Sequence, residues 1–152
     1  MTQRAKQLHA TTDAQIAELI DLISTLDDAA LRRPCPGREK LGDGTVGAST
    51  RHVADNYRRI AGFVQTTDAM SGDRHDGAYT ADTIDVGAVL EQLSASRATL
   101  GRVAKLTDTQ LDAIPPDGSF RFCDGQRTLE QVLVGLLKHQ GHQVQALRSA
   151  LA

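Results

Sequence analysis

The chain has 152 residues, of which 40% are hydrophobic, and a formal net charge of -2 at pH 7. This length suits one domain with one core, so we expect residues 1–152 to form a single domain. The 17 basic and 19 acidic residues are interspersed and no apolar run approaches the ~18 residues of a membrane span, so we expect neither nucleic acid nor a membrane as a partner.

The first half of the chain predicts two long helices. The first runs from about Thr2 to Leu26, where apolar residues recur at helical spacing. Residues 27–34 read as a short turn or a one-turn helix, stopped by Pro34 and Pro36. After a loop, the second long helix runs from about Val46 to Thr67, with Thr45 as its N-cap.

The loop before the second helix contains Gly42-Asp-Gly-Thr-Val-Gly47, a formal match to the dinucleotide pattern GxGxxG. That pattern works only directly after a buried strand, where it opens a helix against the strand. The preceding residues, 37–41, are Gly-Arg-Glu-Lys-Leu and do not read as a buried strand. We therefore interpret these glycines as a helix entry and not as a nucleotide site.

The second half predicts two more long helices. Residues 68–85 form a long polar connection, and the third helix runs from Asp85 or Val86 to about Leu106. Residues 107–116 end it, and residues 117–125 predict a small hairpin or an extended loop. The pattern Thr128-Leu-Glu-Gln131 is a capping box that opens the fourth helix, residues 128–150. We predict an all-α four-helix bundle with a long loop between its second and third helices.

Histidines are the candidate functional residues. His139 and His142 lie about 60° apart on the apolar side of the fourth helix, an arrangement that invites a metal ion inside a bundle. The alternative is a hydrogen-bonded core histidine at 139 and a half-exposed polar residue at 142. His52 lies on the flank of the second helix, where Asp55 either orients its ring or pairs with a neighbouring arginine on the surface. A shared site requires the second and fourth helices to be neighbours.

Two runs of sequence resemble a known family. Gly47-Ala-Ser-Thr-Arg-His-Val-Ala-Asp-Asn-Tyr-Arg59 resembles the segment with the first metal-binding histidine of the DinB-like superfamily, and Leu137-Lys-His-Gln-Gly-His-Gln-Val-Gln145 resembles its second signature. The resemblance implies a four-helix bundle, often a homodimer, in which three histidines hold zinc, nickel, iron or manganese. His52 corresponds to the second-helix ligand. The family usually places its fourth-helix histidines four residues apart, whereas here positions 138 and 143 are Lys and Gln.

The resemblance leads to two functional hypotheses. The first is a metal-dependent enzyme, a hydrolase or a transferase using a low-molecular-weight thiol such as mycothiol or bacillithiol, with His52, His139 and His142 as metal ligands. Three imidazoles would leave a coordination position open for water or substrate. The second is a non-catalytic bundle with a degenerate metal site that binds a small molecule or a protein partner.

The expected location is the cytoplasm. Cys35 and Cys123 are far apart without a CxxC pattern, which suits free thiols in a reducing compartment and leaves a single disulfide as the alternative. The first residues, Met-Thr-Gln-Arg-Ala-Lys-Gln-Leu-His, contain no apolar run, so we expect no signal peptide.

Overall fold

The computed structural model describes residues 2–66 and 79–152 of the chain. Four long helices in this part form the bundle: α1 (Gln3–Ser24), α3 (Val46–Thr66), α4 (Val86–Leu100) and α6 (Leu129–Leu151). Two short helices, α2 (Asp28–Leu31) and α5 (Asp108–Asp112), lie in the connections, with 3₁₀ turns at Ala81–Thr83 and Gly101–Lys105. The described residues contain no strand. The predicted all-α four-helix bundle is confirmed.

Side-chain caps define where the long helices begin. The hydroxyl of Thr128 accepts a hydrogen bond from Gln131 N at 3.2 Å, and Gln131 Oε1 accepts one from Thr128 N at 2.9 Å, which completes the predicted capping box. Asp85 accepts from Ala88 N and caps α4, as predicted. Each cap satisfies backbone donors that a helix leaves unpaired in its first turn.

The four long helices pack in a ring around an aliphatic core. α3 contacts α4 and α6, and α1 contacts the same two helices from the other side. The second and fourth predicted helices, α3 and α6, are therefore neighbours, as a shared histidine site requires. None of the described helices is long and apolar enough to cross a bilayer.

A polar junction joins three of these helices inside the bundle. Gln15 on α1 accepts a hydrogen bond from the hydroxyl of the fully buried Tyr57 at 2.8 Å, and its amide nitrogen donates to Leu137 O at 2.9 Å. Gly141 leaves room for this approach, since a Cβ there would lie 3.1 Å from Gln15 Nε2 and the amide would have to shift slightly. The junction fixes the relative heights of α1, α3 and α6.

The connection from α4 to α6 differs from the prediction. The third helix does not continue to Leu106 as α-helix: α4 ends at Leu100 and tightens into the 3₁₀ turn at Gly101, a residue that weakens α-helices. Residues 107–116 contain the unpredicted α5, which a capping box of Thr107 and Gln110 begins. Residues 117–125 form the extended-loop alternative, closed by a hydrogen bond from Gly118 N to Cys123 O at 2.9 Å.

The long connection between α3 and α4 is described only from Tyr79 onward, so the predicted loop at 68–78, with its His75, lies outside the described residues. Tyr79 itself is fully buried, although the sequence places it in a polar loop. Its carbonyl accepts from Asp43 N at 2.9 Å, and Asp43 Oδ2 accepts from Ala81 N at 2.9 Å. The glycine-rich helix entry therefore packs directly on the start of the next connection.

Candidate functional site

A cavity of about 550 Å³ lies where α3, α6 and the loop between α5 and α6 meet. Its lining combines histidine, amide, arginine and apolar side chains: His52, Asn56, Arg59, Ile60, Gly118, Phe120, Arg121, Leu136, His139 and Gln140. Pockets of this size hold small organic molecules. Two of the three predicted metal ligands, His52 and His139, thus line one cavity from neighbouring helices.

A chain of amides determines which nitrogen of His52 accepts a hydrogen bond. Gln140 Nε2 lies 3.0 Å from Val53 O, which can only accept, so Gln140 Oε1 faces Asn56 Nδ2 at 3.1 Å. The same Asn56 nitrogen lies 3.3 Å from His52 Nε2. Because that nitrogen is a donor, His52 Nε2 is the acceptor and the ring proton is on Nδ1.

Tyr79 holds the other side of His52. The two rings meet edge to face with centroids 5.5 Å apart. The Tyr79 hydroxyl donates to Asp55 Oδ2 at 2.9 Å, and Gln92 Nε2 donates to Asp55 Oδ1 at 2.9 Å. Asp55 is 2% exposed, and its Oδ2 also lies 3.9 Å from Arg51 Nε. The predicted pairing with a neighbouring arginine is therefore present, but at a buried carboxylate and not at the surface. Asp55 acts on His52 through the Tyr79 ring.

His139 is half-buried between an amide and a guanidinium. Its Nε2 lies 2.6 Å from Gln143 Nε2 and 3.3 Å from Arg121 NH1. Burial, followed by the positive charges of Arg121, Arg38 and His142, lowers the pKa of the His139 imidazole below its ordinary value. His139 is therefore neutral at pH 7, the state in which imidazole accepts hydrogen bonds or binds a metal.

Gln143 beside His139 has a buried oxygen without a hydrogen-bond partner among the described residues. This atom is Oε1, and the residue is 3% exposed. Buried polar atoms normally have a partner, and exceptions mark strain, function or a bound group. This oxygen is therefore an available ligand atom beside His139.

His142 lies on the exposed face of α6 and does not line the cavity. Helical geometry explains this: at about 100° per residue, His142 lies about 60° to one side of His139, whereas Gln143, Leu136 and Gln140 lie about 40°, 60° and 100° to the other side. Gln143, four positions after His139, therefore lies on the buried side of α6 and contacts the His139 ring, although it does not line the cavity, and His142 lies on the exposed side. Lys138 is exposed as well.

In the stretches 2–66 and 79–152, no three His, Cys, Asp or Glu side chains are close enough together to hold a metal ion. The donor set that faces the cavity contains two imidazoles and amide groups. The three-histidine metal site with His52, His139 and His142 stays a prediction.

The loop between α5 and α6 brings Arg121 to the cavity. Phe122 adopts the left-handed region with φ 70°, which is uncommon for a residue with a side chain. Its ring packs over α6 at Gly135, where a Cβ would lie 3.5 Å from Phe122 Cδ2. The Arg121 guanidinium lies 5.2 Å from the centre of the same ring. The unusual backbone thus positions Arg121 over the cavity.

Four residues of this site were not among the candidates from the sequence: Asn56, Tyr79, Arg121 and Gln140. For Gln140 a signal existed, since an amide on an apolar helix stripe must find a buried partner. For Arg121 and Tyr79 there was none, because both lie in segments without periodicity.

Comparison with known proteins adds one finding. Residues 11–147 match the model of the DinB superfamily. The match includes His52, His139 and Gln143 and spans most of α1 through most of α6. No curated protein and no solved structure matches the chain significantly.

Proposed function

The chain belongs to the DinB superfamily, and from this premise we propose that it binds a small molecule in the cavity at His52 and His139, on a modified form of the family's histidine site. The cavity has the size and the mixed polar and apolar lining of a small-molecule site. Most of its polar side chains come from the adjacent helices α3 and α6, and Arg121 comes from the loop between α5 and α6.

One observation carries this proposal: the position four residues after His139, buried and in contact with the His139 ring, is Gln143. The DinB-like pattern places a second histidine four residues from the first. Here an amide takes that place and lies 2.6 Å from His139 Nε2, while His52 Nε2 faces Asn56. A site for a divalent ion gains most from a third imidazole or a carboxylate at this point.

We therefore predict that Gln143→His restores a metal site. The new imidazole would lie on the buried side of α6 beside His139, so with His52 it should let the variant bind zinc or nickel in a 1:1 ratio, at least ~100-fold more tightly than the parent. Equilibrium dialysis with metal analysis, on protein without a histidine tag, measures this directly. Adding His52→Ala should abolish the gain.

Lys138→His is the matched control. It also creates a histidine pair four residues apart, with His142, but on the exposed face of α6. Any metal it binds should not depend on His52. If Gln143→His binds no more metal than the parent, while both fold equally well, the interpretation of position 143 as a lost ligand is wrong.

A second candidate is a metal-dependent enzyme, a hydrolase or a thiol-dependent transferase. Its support is the unpartnered Gln143 Oε1 beside a neutral His139. Rotating this amide would place its oxygen beside His139 Nε2, so that His52, His139 and Gln143 together could hold an ion. Such an ion would lower the pKa of bound water or of a thiol. Stoichiometric metal in the parent protein, lost in Gln143→Leu, would favour this candidate.

A further inference from the structure

The cavity has an asymmetric charge. Among the described residues, its lining includes the guanidinium groups of Arg59 and Arg121 and no carboxylate. Arg38 adds to this field, since its charge also acts on His139. A cavity whose walls carry one sign of charge attracts ligands of the opposite sign.

The nearest acidic residue of α3 does not neutralise this charge at the cavity. Asp55 directly precedes Asn56, but its two oxygens accept from Tyr79 and Gln92, and it is 2% exposed. Arg121 forms no ion pair within the described part of the chain. The Arg121 guanidinium contacts His139 Nε2 and the Phe122 ring. The guanidinium is therefore available to a ligand.

Apolar side chains form the remaining walls of the cavity. Ile60 belongs to α3, Leu136 to α6 and Phe120 to the loop, and all three are at least nine-tenths buried. An apolar group in the cavity would pack against them, and the burial of its surface from water would favour binding. The cavity thus offers an apolar wall beside a cationic one.

We propose that this cavity binds a small organic anion. Its carboxylate or phosphate group pairs with Arg121, because the planar guanidinium matches both groups with two parallel hydrogen bonds. Its apolar part lies against the apolar wall. This inference rests on the proposed function, since it names the class of molecule that the same cavity takes.

The test is a set of small fragments in matched pairs, each carboxylic acid with its own primary amide, such as 3-phenylpropanoate and 3-phenylpropanamide. Phenyl phosphate serves as the phosphate probe. Binding is measured by NMR on the ring signals of His52 and His139, assigned with the variants His52→Ala and His139→Ala. We expect the anions to shift these signals at concentrations at which the amides do not.

Arg121→Gln should weaken the binding of the acids by about tenfold or more and leave the amides unchanged. Arg102→Gln, at an exposed arginine outside the cavity lining, is the matched control and should change neither. A preference for phenyl phosphate over the acids would identify phosphate as the preferred head group.

Two results overturn the proposal. One contradicts only the anion proposal, and the other contradicts the proposed function as well. If amides bind as well as acids, or Arg121→Gln does not affect the acids, the anion proposal is wrong and the small-molecule site remains. If no fragment of either kind shifts the ring signals, the proposed function fails together with it.

Discussion

Gln140 is an amide in the apolar stripe of α6, and its burial has a structural reason. It is 1% exposed and joins α6 to the backbone of α3 through Val53 O, while its oxygen orients Asn56. The acceptor Val53 O fixes the orientation of the Gln140 amide, and Gln140 in turn fixes the orientation of the Asn56 amide. A leucine of similar volume would fill the same space without setting the state of His52.

We predict that Gln140→Leu destabilises the fold by about 1–3 kcal/mol, because it leaves the Asn56 amide without its acceptor. The ring ¹⁵N signals of His52 should move toward a mixture of tautomers, since Asn56 is no longer oriented. Urea unfolding and imidazole NMR measure the two effects.

Gln145→Leu is the control for this change, at an exposed position of the same helix, and should cost less than ~0.5 kcal/mol. If the His52 tautomer is unchanged in Gln140→Leu, the hydrogen bonds through Gln140 and Asn56 do not set this tautomer.

At the scale of elements, the glycine-rich entry to α3 supports the site through Tyr79. Gly42 has φ +55°, and a Cβ there would lie 1.8 Å from Tyr79 O. Gly37 has an equally unusual φ of +84°, but nothing lies within 4 Å of its Cβ position. Comparing substitutions at Gly37 and Gly42 therefore distinguishes the cost of backbone strain from the cost of steric overlap.

We predict that Gly37→Ala destabilises the protein by about 1–2 kcal/mol, the cost of a left-handed residue with a side chain. Gly42→Ala should cost clearly more, because Tyr79 must also move. It should in addition shift the ring signals of His52, which Tyr79 contacts. Thermal unfolding and NMR of both variants test this, and equal effects of the two substitutions would show that the contact with Tyr79 is unimportant.

The long helices were predictable because each carries its own periodic stripe and its own cap. Asp85 and Thr128 mark helix starts in the sequence as clearly as in the structure. The short α5 also has a capping box, Thr107 with Gln110, but five residues are too few for a periodic pattern. The left-handed Phe122 had no signal, because such a conformation is imposed by packing around it.

At the scale of the whole molecule, the Gln15 junction joins α1, α3 and α6 by two hydrogen bonds. Gln15→Leu leaves the Tyr57 hydroxyl buried without its acceptor, so we predict a loss of about 1–3 kcal/mol in the free energy of unfolding. The double variant with Tyr57→Phe should lose less than the sum of the two single variants, since it removes both partners. Urea unfolding of the four proteins gives the coupling, and strictly additive losses would contradict it.

The assembly of the site was only partly predictable, because it depends on how the helices are rotated against one another. A sequence states which residues share a face of one helix, and it correctly brought His52 and His139 to neighbouring helices. It does not state the rotation of α6 about its axis, and that rotation decides whether the residue three or four positions after His139 is buried in the bundle. His142 is exposed and Gln143 is buried because the junction and the amide chain set this angle.

The two thiols have a practical consequence. Cys35 and Cys123 are both buried and unpaired, one in the loop before α3 and the other in the loop that holds Arg121. A thiol reagent reaches either one only when its own loop opens, so the labelling rate of each cysteine measures the opening free energy of that loop. The protein thus contains two natural reporters of local unfolding, and the one at Cys123 reads out the segment that covers the cavity.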